Sequence, residues 1–119
     1  MTRIKSYLLI LISLILTLSS NAKEYYGKSS FYYKPQNTAS GKYFRPHYMW
    51  CAHKTLPLGT ILEVTNPKNG KSVRVTVWDR GPYIKGRVLD LSKSAFAKIA
   101  NTKRGVIQVK YRIVGRARK

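Results

Sequence analysis

Thr60-Ile61-Leu62-Glu63-Val64-Thr65-Asn66-Pro67-Lys68-Asn69-Gly70-Lys71-Ser72-Val73-Arg74-Val75-Thr76-Val77 is the stretch that decides the class of fold. Residues 60–65 place Ile61, Leu62 and Val64 around Glu63, and Ser72 to Val77 returns with Val73, Val75 and Val77 on one face and Arg74 and Thr76 on the other. Between them, the Asn-Gly pair supplies a positive φ at low cost, so the two halves close as a β-hairpin. Further strands are predicted on either side. The aromatic run from Tyr25 to Tyr33 alternates in part, Met49 to Lys54 can form a short strand, and Gly86 to Leu91 another. In the last one, Val106 to Val114, the apolar residues Ile107, Val109, Tyr111 and Ile113 alternate with polar ones. Residues 34–48 read as a loop and Leu56-Pro57-Leu58-Gly59 as a turn. Ser92 caps a single helix of about nine residues whose apolar face is Ala95, Phe96, Ile99 and Ala100. The prediction is a mostly β chain in which some six short strands close into a small barrel with one short helix.

Upstream, Met1-Thr2-Arg3-Ile4-Lys5 is basic, Tyr7 to Leu18 is apolar, and Ser20-Asn21-Ala22 has the small residues a signal peptidase reads. This is the pattern of a secretory signal cleaved after Ala22. The apolar run is short of the roughly 20 residues that span a bilayer. Lys23 stands where a lipoprotein would carry its Cys. The expectation is an exported protein of the periplasm or extracellular cell envelope, anchored neither by lipid nor by a membrane helix. Residues 23–119 then form one small domain with its core over 26–114, expected to act as a monomer. Cys51, the lone cysteine, cannot close an internal disulfide and is expected in a buried apolar role.

Twenty-three Lys and Arg oppose four acids, for a net charge of +19, two charges of which leave with the signal. Such a charge attracts polyanions. For an exported protein these are cell-wall polymers, anionic lipid head groups and lipopolysaccharide. The cations are spread along the chain rather than clustered, which argues against a dedicated nucleic-acid binder. Only the tail Gly115-Arg116-Ala117-Arg118-Lys119 reads as a solvated basic extension. Among the acids, Glu24 beside the cleavage point is expected to be disordered and Glu63 to face solvent. Asp90 is expected to tie the helix start or pair with Arg87. Asp79 sits at a strand-to-loop corner, in Val77-Trp78-Asp79-Arg80-Gly81-Pro82-Tyr83. His47, Cys51 and His53 are too few for a closed zinc site, so neither metal nor cofactor is expected.

Four segments agree in order and spacing with one known family. They are Thr38-Ala39-Ser40-Gly41, Ala52-His53-Lys54-Thr55-Leu56-Pro57-Leu58-Gly59-Thr60, the hairpin from Val64 to Val73, and Asp79-Arg80-Gly81-Pro82-Tyr83 followed by Gly86-Arg87-Val88-Leu89-Asp90-Leu91-Ser92. Over residues 26–114 the chain resembles the rare lipoprotein A family. The resemblance implies a six-stranded double-psi β-barrel and an endolytic lytic transglycosylase that cuts peptidoglycan glycan strands, preferring strands stripped of stem peptides. The family's Asp is kept as Asp79 and its His as His53. Its Glu directly after the Thr-Ala-x-Gly segment and its Asp three residues later are replaced by Lys42 and Arg45.

In the implied reaction an acid protonates the glycosidic oxygen and the sugar's own C6 hydroxyl attacks, leaving a 1,6-anhydro end. No water is activated. The two-carboxylate demand of an ordinary glycosidase is thereby relaxed, so Asp79 can serve as acid and then base with His53 as helper. Tyr43, Trp78 and Tyr83 offer faces for sugar rings and Thr38 and Ser40 offer hydroxyls. Lys42, Arg45 and Arg80 offer charge. The rival is an expansin-like module that binds or loosens wall polymer without breaking a bond. A third reading, a secreted binder of nucleic acid or lipopolysaccharide, rests on charge alone.

Overall fold

The computed structural model describes residues 23–118, so the secretory signal read over residues 1–22 lies outside the described residues. The strands are β1 (Tyr25–Tyr32), β2 (Gln36–Asn37), β3 (Tyr43–Phe44), β4 (Trp50–Ala52), β5 (Thr60–Thr65), β6 (Ser72–Asp79), β7 (Arg87–Ser92) and β8 (Ile107–Arg116). One helix, α1 (Lys93–Ile99), follows β7, and a 3-10 turn spans Thr102–Arg104. Six strands close a barrel in the order β1-β7-β4-β6-β5-β8, while β2 and β3 pair with each other. The chain folds as the mostly β, six-stranded barrel with one short helix that its periodicity predicts.

The hairpin forms as read. β5 and β6 pair antiparallel from Thr65↔Ser72 to Ile61↔Thr76, and Leu62, Val64, Val73, Val75 and Val77 point into the core. The parallel pairings, β1 with β7 and β4 with β6, join strands distant in sequence and close the barrel. Leu89, Leu91, Cys51, Val109 and the α1 residues Ala95, Phe96 and Ile99 complete one cluster. Cys51 is fully buried with a free thiol, and burial pushes its ionisation upward.

Several boundaries differ from the sequence reading. α1 is seven residues, shorter than read, and Ala100 is its C-cap in extended conformation rather than part of its apolar face. Ser92 does cap it, its hydroxyl accepting from the Ala95 N–H at 3.2 Å. The stretch read as a loop contains the β2–β3 pair, with Gln36 opposite Phe44 and Asn37 opposite Tyr43. Gly115 and Arg116 are not a solvated extension, because β8 continues through them to pair with Ile61 and Thr60. Glu24 is ordered by the Tyr26 hydroxyl at 2.9 Å and Lys110 at 3.8 Å. Glu63 lies on the outer face as expected, half-buried and paired with Arg112 at 3.1 Å.

Gly27 sets how closely β1 approaches β7. A Cβ there would lie 2.5 Å from Cγ1 and 2.7 Å from Cγ2 of Val88, and a β-branched side chain has few other rotamers to escape into. Gly27→Ala is expected to lower unfolding free energy by about 1–3 kcal/mol, measurable as a reduced denaturation midpoint. Gly27→Ala combined with Val88→Ala should recover part of the loss.

Candidate functional site

The register of four barrel strands places two carboxyls on either side of one small residue. Asp79 on β6 lies opposite Ala52 on β4, Ala52 lies opposite Asp90 on β7, and Asp90 lies opposite Ser30 on β1. Cross-strand partners share a sheet face, so the four side chains form a row. Two strand spacings separate the Cα atoms of Asp79 and Asp90 by about 10 Å, with only the methyl of Ala52 between them. An irregularity creates this row. Cys51 pairs with Val77 but Ala52 pairs with Asp79, so Trp78 is the extra residue of a bulge, a device that re-aims the side chain after it.

The two carboxyls have different surroundings. Asp79 is held from its own corner, Oδ1 accepting from the Ala39 N–H at 3.0 Å and the Arg80 N–H at 2.9 Å. The loop carrying Ala39 is latched beside it by the Ser40 N–H donating to the Trp78 carbonyl at 3.2 Å. Among the described residues Asp79 Oδ2 makes no hydrogen bond. Among the described residues the Asp90 carboxyl accepts only from the Ser30 hydroxyl, at 3.0 Å. Burial raises its pKa, the Ser30 bond and Arg87 pull the other way, and the charge of Asp79 raises it further. One carboxyl is thus held by two backbone donors at a corner, and the other is largely buried with a single hydroxyl partner.

Sequence reasoning assigns Asp90 to the helix start or to Arg87, and the structure corrects this. Ser92, not Asp90, caps α1, and no ion pair joins Asp90 to Arg87 among the described residues. The lineup with Asp79 depends on β7 lying beside β4, a neighbour relation that no spacing within the chain encodes.

His53 is brought beside Asp79 through the backbone, its N–H donating to the Asp79 carbonyl at 3.1 Å. Its ring is engaged elsewhere. Nδ1 accepts from the Thr55 and Leu56 N–H groups, each at 3.0 Å, and Nε2 lies 3.0 Å from the Tyr111 hydroxyl. Two N–H donors on Nδ1 put the proton on Nε2. Burial, then Arg80 and Lys54, lower the pKa, so the imidazole is neutral. Arg80 clamps the same turn, Nη1 donating to the carbonyls of Leu56 at 2.6 Å and His53 at 3.2 Å.

The other residues singled out from the sequence fall into two groups. Thr38 and Ser40 bond mainly each other and Lys42: their hydroxyl oxygens are 2.8 Å apart, and the Thr38 hydroxyl donates to the Lys42 carbonyl at 2.7 Å. Gly41, with φ +84°, lets this loop turn. Trp78 is 6% exposed and lies under the Lys42 ammonium, 4.7 Å from its ring centroid. Arg45 covers Tyr43 at 5.4 Å. Tyr83, 79% exposed, follows the Asp79 corner with its ring free. Lys42 and Arg45 therefore carry positive charge on the loop that latches onto Asp79.

A concavity of about 690 Å³ lies at the hairpin end of the barrel, away from the Asp79 row, and is lined by Lys28, Lys68, Arg104 and Gln108 among others, with no carboxyl in its wall. Its Asn66 and Asn69 are spent on structure, both donating to the Ile99 carbonyl at the end of α1. It lacks the acid that the chemistry of the Asp79 row offers.

Comparison with known proteins bears on the barrel as a whole. A family described as "Lytic transglycolase" matches residues 24–111. The "Probable endolytic peptidoglycan transglycosylase RlpA" of Aquifex aeolicus is 45% identical over 91 residues, covering 74% of this chain and 40% of that protein. The chain thus spans less than half the length of that relative. Among solved structures, a Streptomyces papain inhibitor superposes with a TM-score of 0.67 at 28% identity, covering 78% of this chain and 96% of that one. A variant of the Clavibacter michiganensis expansin in complex with cellohexaose superposes with a TM-score of 0.64 at 26% identity, covering 78% and 51%.

Proposed function

The chain belongs to the lytic transglycolase family, a double-psi β-barrel by its closed six-strand order, and from that premise we propose that it is an endolytic peptidoglycan lytic transglycosylase. Its substrate is the glycan strand, naked strands being preferred, and its product ends in 1,6-anhydro-N-acetylmuramic acid. The observation that carries the reading is the pair of carboxyls, unlike in environment, on one sheet face across Ala52.

Asp90, whose neutral form burial favours, gives its proton to the glycosidic oxygen between N-acetylmuramic acid and N-acetylglucosamine. Asp79, fixed as an acceptor by two backbone N–H groups, takes the proton of the C6 hydroxyl as that oxygen bonds to C1. One proton leaves the enzyme and one returns, and a transfer from Asp79 back to Asp90 resets the site. No water is consumed. This division replaces the expectation that Asp79 alone serves as acid and base. His53 acts through position, holding the 53–56 turn against the end of β6. Lys42 and Arg45 add attraction for a polymer that bears carboxylates. The setting is the cell envelope after export.

The deciding experiment incubates the protein with glycan strands lacking stem peptides and analyses the products by mass spectrometry. Anhydro ends are expected. Strand binding is also expected to weaken several-fold as ionic strength rises past physiological, where exposed charges reach only about 8 Å. Salt-independent affinity would shift the weight of recognition to the exposed rings of Tyr83 and Tyr43. The similarity to an expansin in complex with cellohexaose favours one second reading, a module that binds glycan without cleavage. Tight strand binding with no anhydro product would establish it.

A further inference from the structure

Three parts of the chain converge on the concavity at the hairpin end of the barrel. Lys28 of β1 and Gln108 of β8 are directly opposite in the antiparallel register, so their side chains leave the same sheet face. Lys68 comes from the β5–β6 turn. Arg104 ends the 3-10 turn, where Gly105 at φ +69° and the Val106 N–H, donating to the Arg104 carbonyl at 2.7 Å, bend the chain back into β8. Side-chain amides lock these walls together. Asn66 and Asn69 tie the hairpin turn to the Ile99 carbonyl at 2.9 and 3.0 Å, and their oxygens accept from the Lys68 and Lys71 N–H groups at 3.0 and 2.9 Å. The recess is therefore preformed, which lowers the ordering cost of filling it.

Its charge has one sign. Glu24 pairs with Lys110, Glu63 with Arg112, and Asp79 and Asp90 stand in their own row. Lys28, Lys68 and Arg104 are exposed, and among the described residues none of their side chains forms an ion pair. Three cations around one recess with no acid in its wall focus positive potential there. Val106 and Ile107 add apolar surface, and Asn101 and Gln108 add side-chain amides. A volume of about 690 Å³ is in the range of small-ligand sites. The combination suits a sugar that bears a carboxylate, with cations for its charge, amides for its hydroxyls and apolar surface for its ring.

We propose that this concavity is a second glycan-binding site, in which Lys28, Lys68 and Arg104 hold the carboxylate of a muramic acid unit of the strand. The identity of the ligand rests on the transglycosylase reading, whereas the place and its charge do not. N-acetylmuramic acid carries a lactyl carboxylate that is free once the stem peptide is removed, so a naked strand repeats a negative charge in every disaccharide. Occupancy here leaves the Asp79 row open. Because the strand repeats the same unit, holding one unit raises the local concentration of its neighbours around the barrel. The site thus adds affinity for long strands without touching the reacting bond.

The test removes the three charges in one variant, Lys28→Gln with Lys68→Gln and Arg104→Gln. A control variant, Lys34→Gln with Lys93→Gln and Arg116→Gln, loses the same net charge outside the concavity. Affinity for naked strands, measured by pull-down, is expected to fall about 10-fold in the first variant, the sum of three exposed charge contacts, with an unchanged melting temperature. The control should stay within about 2-fold of wild type, since distant exposed charges are screened. KM for long strands should rise with the loss of affinity while kcat holds. On strands whose muramic carboxylates have been converted to neutral methylamides, the first variant and wild type should bind alike. Equal affinity of that variant and wild type for naked strands would overturn the proposal. So would an equal loss in the control, or a loss that persists in full on the amidated strands. Should the wild-type protein release no anhydro product while the loss of affinity stands, the transglycosylase reading fails alone and the concavity remains a glycan site.

Discussion

Asp79→Asn is expected to reduce release of 1,6-anhydro ends by about 100- to 10,000-fold, the range that positioned proton transfer contributes to a rate. The substitution suits the site because an amide oxygen can still accept from the Ala39 and Arg80 N–H groups that now bond Oδ1 at 3.0 and 2.9 Å. The corner and the latched loop should therefore persist, and strand binding with them. What the amide cannot do is take up the proton of the C6 hydroxyl. Mass spectrometry of digests reads the first effect, and the melting temperature the second. Product within about 3-fold of wild type would remove Asp79 from the chemistry altogether.

The second large effect separates stability from activity. Asp90→Asn should also cut product release by about 100-fold or more, since it deletes the proton donor, yet it should stabilise the fold at neutral pH. The sign follows from the direction of the shift. Burial raises the folded-state pKa of Asp90 above its ordinary value, so its contribution to stability is fully present below the unfolded pKa and is lost as pH rises through the folded one. The amide stays neutral and loses nothing. The difference in melting temperature between Asp90→Asn and wild type should thus be small in acid, widen as pH rises above the ordinary carboxylate range, and level off once the folded-state carboxyl has ionised. The Ser30 hydroxyl can still donate to the amide oxygen, so a collapse of the local structure is not expected. A gap that is flat with pH would mean that Asp90 is not held neutral, and full activity would mean that it is not the acid.

Much of the fold was legible because local periodicity and turn chemistry report on faces. Val73, Val75 and Val77 alternate with Arg74 and Thr76, and the structure buries the first set. Ser92 reads as a cap and accepts from the Ala95 N–H. The β2–β3 pair was not legible, since two residues are too few to show a period. The end of β8 was hidden for a different reason. Gly115 and Arg116 look like a tail by composition, and only their pairing with Ile61 and Thr60 makes them strand. His53 illustrates the limit at the level of a side chain: its segment pointed to the site and its backbone lies there, but its ring bonds Thr55, Leu56 and Tyr111.

By itself the sequence determined the class of fold, the family, the poverty of acids that singles out Asp79, and the exchange of two expected acids for Lys42 and Arg45. Those properties reside in residue identity and in spacing along one chain. Tertiary structure alone decided that Asp90 lies across Ala52 from Asp79. Ser30 bonds Asp90 across 60 positions of sequence, and Ala52 separates the two carboxyls only because β4 lies between β6 and β7. A strand's period states which residues share its face, but which strand lies alongside is settled by barrel closure, where burial of the whole core selects one order and one register.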